Sequence, residues 1–418
     1  MKRLAVAAAA LCVTGAIAAG GQTTLAQGAP APDSTDVAKE PSFDGFDQIP
    51  GQVAGHRINK FLLPADEAKS SGKTLASLSN GIIGVLGNPT DGYTVIVGSD
   101  YDQEAVEKEL TAGLDETAQA LISTKASPVT AADLSNAWAA VNDHSQSLQR
   151  SLGAYSIDID AATSQVVIEA SGQTVAKRSG DATRTETEVE SLAPGLIDVQ
   201  LGETTQRLVR STPDAAPHYG GSWITWPNGT YCSSGFTVVR NGTTTRTSVT
   251  AGHCGGANGT EFTSGAYYYG DKAGLANYPD YDQARLQGST YREFIRVGGG
   301  NDAQSLRSVR GATDPVIGDS LCQSGVTSYA ECGIVVGSLS ATLCDPAGCT
   351  TYLGAGRKET DAIAARGGDS GAPVYLRFSN AEAGIRGMLI GGGDGGRRMF
   401  FERYDSIANH LNVHIYTN

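Results

Sequence analysis

Residues 236–254 read FTVVRNGTTTRTSVTAGHC, and this stretch carries the clearest structural signal in the chain. Residues 236–240 and 245–250 are rich in β-branched side chains and flank Asn241-Gly242, a pair typical of a tight hairpin turn with positive φ. The rest of residues 219–418 repeats this pattern, with short β-branched or aromatic runs separated by Gly, Asn, Asp and Ser. Many short strands without a long helical period favour a β-barrel or a β-sandwich.

Three motifs within residues 219–418 contain residue types that support nucleophilic catalysis. The hairpin strand leads into TAGHC at 250–254, YPDYDQARL follows at 278–286, and GGDSGAP lies at 367–373. A serine hydroxyl becomes a useful nucleophile beside a general base whose tautomer is held by a third group, and His253, Ser370 and a carboxylate supply these types. The glycines around Ser370 allow a sharp turn, so that the N–H groups of Gly368 and Ser370 can point at one developing oxyanion.

Two carboxylates of the second motif compete for the role of the third group. Asp282 precedes an alternating Ala284-Leu286 run, which predicts a position at the start of a strand. Asp280 follows Pro279, where a solvent-exposed turn residue is expected. The pattern favours Asp282.

Charge and cysteine divide the 418 residues into two dissimilar parts. Residues 1–205 contain 13 basic and 26 acidic side chains, whereas residues 206–418 contain 18 of each, so the net charge of −13 belongs to the first part. Six of the seven cysteines lie after residue 205. The acidic balance argues against nucleic-acid binding through the overall field.

The N-terminus has the pattern of a secretory signal peptide. Lys2 and Arg3 precede an apolar stretch that ends in small residues, and cleavage is expected after Ala19 or Ala26. The predicted product is secreted and extracellular, with no membrane attachment after signal removal. Its six remaining cysteines would then meet an oxidising environment.

Between the signal and the β-rich part, the sequence predicts a small acidic α+β domain over residues 33–205. Gly92–Asp100 alternates like a strand, and 154–170 predicts a hairpin that turns at 161–164. Leu134, Trp138, Val141, Leu148 and Leu152 recur at helical spacing and predict one helix face. A linker or processing zone is expected within 172–220, with the mature start between about 206 and 220.

The motifs at 250–254 and 367–373, with CQSGVTS at 322–328, resemble the bacterial secreted branch of the chymotrypsin-like serine proteases, typified by streptogrisins and α-lytic protease. The resemblance covers about 219–418 and implies an all-β catalytic domain, a chymotrypsin-like double antiparallel β-barrel, over 206–418. It implies His253, Asp282 and Ser370 as the catalytic triad and the Gly368 and Ser370 N–H groups as the oxyanion hole. The region 33–205 resembles the propeptide that assists folding and inhibits such enzymes.

The same resemblance implies three disulfides and a substrate pocket. The pairs are Cys232-Cys254, Cys322-Cys332 and Cys344-Cys349, although six cysteines allow fifteen pairings. The pocket walls would be Ala364, Ala365 and the run Gly391, Gly392 and Gly393, which offers backbone hydrogen bonds to an extended peptide. These walls favour small or apolar substrate side chains, while Arg366, Arg397 and Arg398 leave an acidic preference open.

This chain departs from the family pattern around the nucleophile. Gln323 stands where the relatives often have an arginine that pairs with the Asp before the nucleophile. Asp369 is therefore expected to bind Arg366 or neutral donors.

Together these features predict a secreted serine endopeptidase made as a zymogen, which hydrolyses peptide bonds through an acyl-enzyme. Its partners would be protein or peptide substrates and its own propeptide, and the active form is expected to be a monomer. No metal or organic cofactor is expected. The alternative is a catalytically silent secreted binding protein of the same fold that uses a Tyr267-Tyr268-Tyr269 loop.

Overall fold

The fold was derived from a computed structural model that describes residues 43–46, 48–64, 75–179, 182–202, 213–298 and 305–417. The expected signal peptide and its cleavage sites lie outside these residues. None of the helices described here is both long and apolar enough to cross a membrane. We refer to residues 43–202 as the front region and to residues 213–417 as the back region.

The front region mixes helices and strands. The helices are α1 (Phe43–Phe46), α2 (Pro50–Leu62), α3 (Ala76–Ser79), α4 (Gln103–Thr111), α5 (Glu116–Gln119), α6 (Ala131–Asp143), α7 (Ser145–Leu152), α8 (Gly172–Ser179) and α9 (Ala182–Glu190). The strands are β1 (Ile82–Asn88), β2 (Gly92–Val97), β3 (Ile122–Ala126), β4 (Tyr155–Asp160), β5 (Gln165–Ser171) and β6 (Ile197–Gly202). Strands β1, β2 and β3 form one sheet, and β4, β5 and β6 form part of another. This architecture agrees with the predicted α+β domain.

The back region is almost entirely β-structure. Its strands are β7 (His218–Gly220), β8 (Trp223–Thr225), β9 (Tyr231–Ser233), β10 (Thr237–Arg240), β11 (Arg246–Thr250), β12 (Glu261–Ser264), β13 (Tyr267–Leu275), β14 (Ala284–Gln287), β15 (Tyr291–Arg296), β16 (Leu306–Ala312), β17 (Ser320–Gly325), β18 (Tyr329–Asp345), β19 (Gly348–Lys358), β20 (Pro373–Arg377), β21 (Glu382–Gly393), β22 (Arg398–Arg403) and β23 (Val413–Ile415). The helix α10 (Tyr404–His410) precedes β23.

The strands of the back region form two barrel-like sheets. The first has the order β23-β10-β11-β14-β13-β12-β8-β9, so the C-terminal strand pairs with β10. The second closes on itself, because β17, β18, β19, β22, β21 and β20 pair in turn and β20 returns to β17. All six of these pairings are antiparallel, whereas β15–β7 and β16–β21 are parallel. This topology confirms the predicted chymotrypsin-like all-β fold of the back region.

Local structure differs from the prediction at two points. The connection between β10 and β11 spans residues 241–245 and not a two-residue turn, and positive φ occurs there at Gly242 alone. The predicted single helix is divided at His144 into α6 and α7, since α6 ends at Asp143 and α7 begins at Ser145. The apolar spacing survives because both helices bury their apolar residues in one core, which also contains side chains of β4 and β5.

The front and back regions share a continuous sheet. Strand β4 pairs antiparallel with β18, with Ile157 opposite Thr342 and Ser156 opposite Leu343. The order β6-β5-β4-β18-β17 therefore runs from one region into the other without a break.

Candidate functional site

His253 and Asp282 lie in direct contact at the ends of two neighbouring strands. β11 ends at Thr250 opposite Ala284, so the loops after β11 and before β14 meet at the same edge. His253 Nδ1 lies 2.6 Å from Asp282 Oδ2, and the His253 backbone N–H donates to Asp282 Oδ1 at 2.7 Å. The carboxylate thus holds both the ring and the backbone, which fixes the ring orientation and favours a proton on Nδ1.

The competing carboxylate lies elsewhere. Asp280 is exposed and its Oδ2 accepts a hydrogen bond from Asn277 Nδ2 at 2.7 Å. Asp282 is buried, with only 6% of its side chain exposed, and its own N–H donates to Glu402 Oε1 at 2.8 Å. The structure therefore brings Asp282 and not Asp280 to His253.

A buried lysine supports the loop that carries His253. Lys272 Nζ donates to the carbonyl oxygens of Gly252 at 2.7 Å, Cys254 at 3.0 Å and Gly256 at 2.9 Å. These carbonyls lie on both sides of His253, so one ammonium group holds the loop in place. Desolvation lowers the pKa of Lys272 to about 8, and the charge of Asp282 opposes this shift.

The charges around His253 favour its protonated form. Desolvation lowers the pKa of His253, but the charge and hydrogen bond of Asp282 outweigh it and the net pKa is raised. Asp345 adds to the increase, and Lys272 opposes it. Asp345 lines a cavity of about 150 Å³ with His253 and Tyr278, whose hydroxyl donates to Asp345 Oδ2 at 3.2 Å.

Ser370 lies in a turn that leaves two neighbouring N–H groups unpaired. Gly368 and Gly371 have φ of +99° and +92°, which only glycine adopts readily. The Asp369, Gly371 and Ala372 N–H groups donate to backbone carbonyls, whereas within the described residues those of Gly368 and Ser370 have no acceptor. The turn therefore provides two free donors beside the Ser370 hydroxyl.

The Ser370 turn lies against the segment that carries His253. The Ser370 carbonyl accepts a hydrogen bond from the Ser233 N–H at 2.8 Å, and Cys254 Sγ lies 3.8 Å from the same oxygen. Ser370 Oγ donates to the Ile390 carbonyl at 3.3 Å. Among the described residues it has no hydrogen bond to His253. Such contacts are often long or absent in free enzymes and form when substrate binds.

Asp369 is held by neutral donors. The sequence left two kinds of partner open, the Arg366 side chain and neutral donors, and the structure shows the second. Its Oδ1 accepts the N–H groups of Thr327 at 2.7 Å and Ser328 at 2.9 Å, and its Oδ2 accepts the Arg366 N–H at 2.8 Å. The Arg366 guanidinium donates instead to Ser328 Oγ at 3.0 Å. Burial raises the pKa of Asp369, and these hydrogen bonds offset part of the increase.

Three disulfides cross-link the back region: Cys232–Cys254, Cys322–Cys332 and Cys344–Cys349. The first joins the residue after His253 to β9. The sulfurs of Cys232 and Cys254 lie within 4.8 Å of a His253 ring nitrogen. Because these sulfurs are bonded to each other, they are not thiolates and do not form a metal site.

A cavity of about 300 Å³ opens beside Ser370. Ala365, Gly391, Gly392 and Gly393 line it, as expected. Ala364 was also expected to line it but does not, because it is fully buried and its carbonyl accepts a hydrogen bond from Gln323. The front region completes the lining with residues of β4 and β5, which are Tyr155, Ser156, Glu169, Ala170 and Ser171. The front region thus covers the space next to the serine.

Sequence reasoning missed Lys272, Asp345 and Glu402. All three contact or influence groups that are distant in sequence. Lys272 is a single lysine in a strand rich in tyrosine and glycine, so no sequence motif marks it. The three tyrosines at 267–269 are not a loop, because β13 begins at Tyr267 and Tyr269 is fully buried. Tyr267 and Tyr268 are exposed on this strand.

The chain is similar to solved structures of bacterial proteases. Protease A of Thermobifida fusca is 27% identical, with a TM-score of 0.40, over 48% of this chain and 98% of that one. A Nocardiopsis protease is 26% identical, with a TM-score of 0.39. A Cellulomonas bogoriensis chymotrypsin is 25% identical, also with a TM-score of 0.39. Each of these two matches covers 48% of this chain and 98% of the other chain. No family model matches the chain.

Proposed function

We propose that this protein is a secreted serine endopeptidase made as a zymogen. The observation that carries the proposal is the His253 Nδ1 contact with Asp282 Oδ2 at 2.6 Å, adjacent to a serine turn with two free N–H groups. A histidine held in one tautomer by a buried carboxylate is the arrangement that activates a serine hydroxyl. The three disulfides support an extracellular location.

In the proposed reaction, Ser370 Oγ attacks the peptide carbonyl while His253 Nε2 accepts the hydroxyl proton. Asp282 stabilises the imidazolium, and the Gly368 and Ser370 N–H groups bind the oxyanion. The C–N bond then breaks as His253 donates its proton to the leaving amine. A water molecule then attacks the acyl-enzyme while His253 accepts its proton. His253 returns this proton to Ser370 Oγ as the ester bond breaks, and the carboxylic acid product is released.

The front region would act as the propeptide. Its strand β4 extends the back-region sheet at β18, and its residues Tyr155, Ser156 and Glu169 line the cavity beside Ser370. A segment in this position excludes a substrate chain from that cavity. The same pairing offers β18 a template during folding, which supports a role in assisting folding.

A fluorophosphonate probe tests the proposal. We expect it to label the processed wild-type protein once, at Ser370, because only a serine activated by a neighbouring base reacts readily. Mass spectrometry of the labelled peptide locates the modified serine. Ser370→Ala should abolish labelling. A processed wild-type protein that stays unlabelled, or carries the label on another serine, would rule out the proposed function.

Two structured positions, Gly202 and Asp214, support a processing site between them. Gly202 ends β6 in the front-region sheet, whereas Asp214 is 1% exposed and its Oδ1 lies 2.6 Å from Arg296 Nη2 in the back region. Breaking Asp214 away from its partners is unfavourable, because it leaves a buried ion without a counter-charge. N-terminal sequencing of the mature form should therefore place the cut after Gly202 and before Asp214. A mature N-terminus beyond Asp214 would contradict this prediction.

The charge of Asp345 should affect the pH dependence of activity. His253 acts as a base only when neutral, so kcat/KM rises with pH through the pKa of free His253. Asp345 contributes to the raised pKa of His253, and removing its charge should lower that pKa. Asp345→Asn is expected to move the acidic limb of the kcat/KM profile to lower pH. Asp280→Asn, in an exposed turn, serves as the control and should leave the limb in place. A limb that moves to higher pH in Asp345→Asn would contradict the assignment.

A further inference from the structure

Arg398 of β22 takes its ionic partners from the front region. Its Nη2 contacts Asp158 Oδ2, and its Nη1 lies 3.2 Å from Glu169 Oε2. Only 12% of the arginine side chain is exposed, and both carboxylates are almost fully buried. Within the described part of the chain, Arg398 has no ion pair to a carboxylate of the back region.

A second arginine binds the same glutamate. Arg357 lies opposite Arg398 in the β19–β22 pairing and contacts Glu169 Oε1. Glu169 thus bridges the two guanidinium groups, with one oxygen on each. Arg357 also pairs with Asp394 of the back region at 2.6 Å, so it keeps a partner without Glu169, and Arg398 does not.

The bridging carboxylate lies in the cavity beside the serine. Glu169 lines this cavity together with Ser370 and the run Gly391–Gly393. Glu169 Oε2 would lie 3.2 Å from a Cβ added at Gly393, so the carboxylate is packed against this run. A carboxylate side chain, therefore, already occupies part of the space that a substrate would enter.

Release of the front region would remove both carboxylates that pair with Arg398. A guanidinium group that has lost its anions can bind another carboxylate with two parallel hydrogen bonds. Gly393, which lines the cavity beside Ser370, lies opposite Arg398 in the β21–β22 pairing.

We propose that Arg398, with Arg357 beside it, is a subsite for an acidic side chain of the substrate, and that Glu169 occupies this subsite in the precursor. The inference rests on the proposed peptidase function and adds its substrate class, namely peptides with Glu or Asp upstream of the bond that is cut. Glu169 has the chemistry of the ligand and is supplied by the chain itself.

The test uses the processed protein and peptides that differ only by Glu or Gln at each of the four positions upstream of the cleaved bond. At one of these positions we expect wild-type kcat/KM to favour Glu by about 10- to 100-fold, the effect of a hydrogen bond to a charged group. Arg398→Gln should bring this ratio close to one, and Arg398→Lys should keep part of it. The matched control is Arg397→Gln, because Arg397 pairs with Asp361 and Asp394 of the back region and should leave the ratio unchanged.

The outcomes distinguish a failure of the proposed subsite from a failure of the proposed peptidase function. A wild-type ratio near one at all four positions overturns the subsite without reference to any variant. A ratio that persists in Arg398→Gln overturns it too, and reduces Arg398 to a contact with the front region. A processed protein that cleaves neither peptide and does not react with the fluorophosphonate refutes the peptidase function instead. If Arg398→Gln does not accumulate, Arg357→Gln, which removes the second guanidinium from the Glu169 position, should lower the ratio, and an unchanged ratio counts against the subsite.

Discussion

Asp282→Asn is expected to lower kcat by about 10⁴-fold while the protein keeps its fold. The carboxylate accepts from both the His253 ring and the His253 N–H, so an asparagine can accept only one of these hydrogen bonds and must present its NH₂ to the other. With its oxygen on the backbone N–H, the NH₂ group faces Nδ1 and favours the tautomer that carries its proton on Nε2. That tautomer cannot accept the Ser370 proton.

Asp280→Asn is the matched control for this measurement. The substitution is the same, two residues away, at an exposed carboxylate that binds Asn277. Steady-state hydrolysis by processed protein should remain near the wild-type rate in Asp280→Asn. A comparable loss in both variants, or a loss in Asp280→Asn alone, would show that the assignment of Asp282 is wrong.

Gly368→Ala is expected to lower kcat by about 10²- to 10³-fold, the usual effect of losing one oxyanion donor. The φ of +99° is unfavourable for alanine, and a Cβ would lie 2.3 Å from Tyr231 Cε2 and 2.6 Å from Thr327 Oγ1. The turn must move to relieve these contacts, and the Gly368 N–H moves with it. The fluorophosphonate reaction should slow as well, because it develops negative charge at the same place.

Gly337→Ala provides the comparison for Gly368→Ala. A Cβ at Gly337 meets no atom within 4 Å, and the backbone there does not have the positive φ that disfavours alanine. Activity and thermal stability of Gly337→Ala should stay close to the wild type. If Gly368→Ala has full activity, the N–H of Gly368 does not stabilise the transition state.

Local sequence was sufficient to predict the strands that form because of their own residues and those next to them. The alternation in residues 154–170 predicted the β4–β5 hairpin, and the β-branched runs around residue 241 predicted the β10–β11 pair. The length of the β10–β11 turn was predicted incorrectly, because the Arg240 N–H pairs with the Thr245 carbonyl across a five-residue loop. The break at His144 was also not predicted, since apolar spacing alone does not reveal where a helix is interrupted.

The sequence by itself determined which residues could perform the chemistry. The order of His253, Asp282 and Ser370, the glycines of the serine turn and the division of charge between the two parts of the chain can all be read without coordinates. These features are local, because motif, turn and composition depend on neighbouring residues.

The tertiary structure alone decided how distant groups act on the site. Lys272 is buried and donates to carbonyls of the His253 loop, Asp345 lines a cavity together with His253, and Glu169 bridges Arg357 and Arg398 from another region of the chain. Each of these interactions joins a charged group to a partner far away in sequence, and its strength depends on burial and distance. Burial and distance are set only when the barrel has closed and β4 has paired with β18.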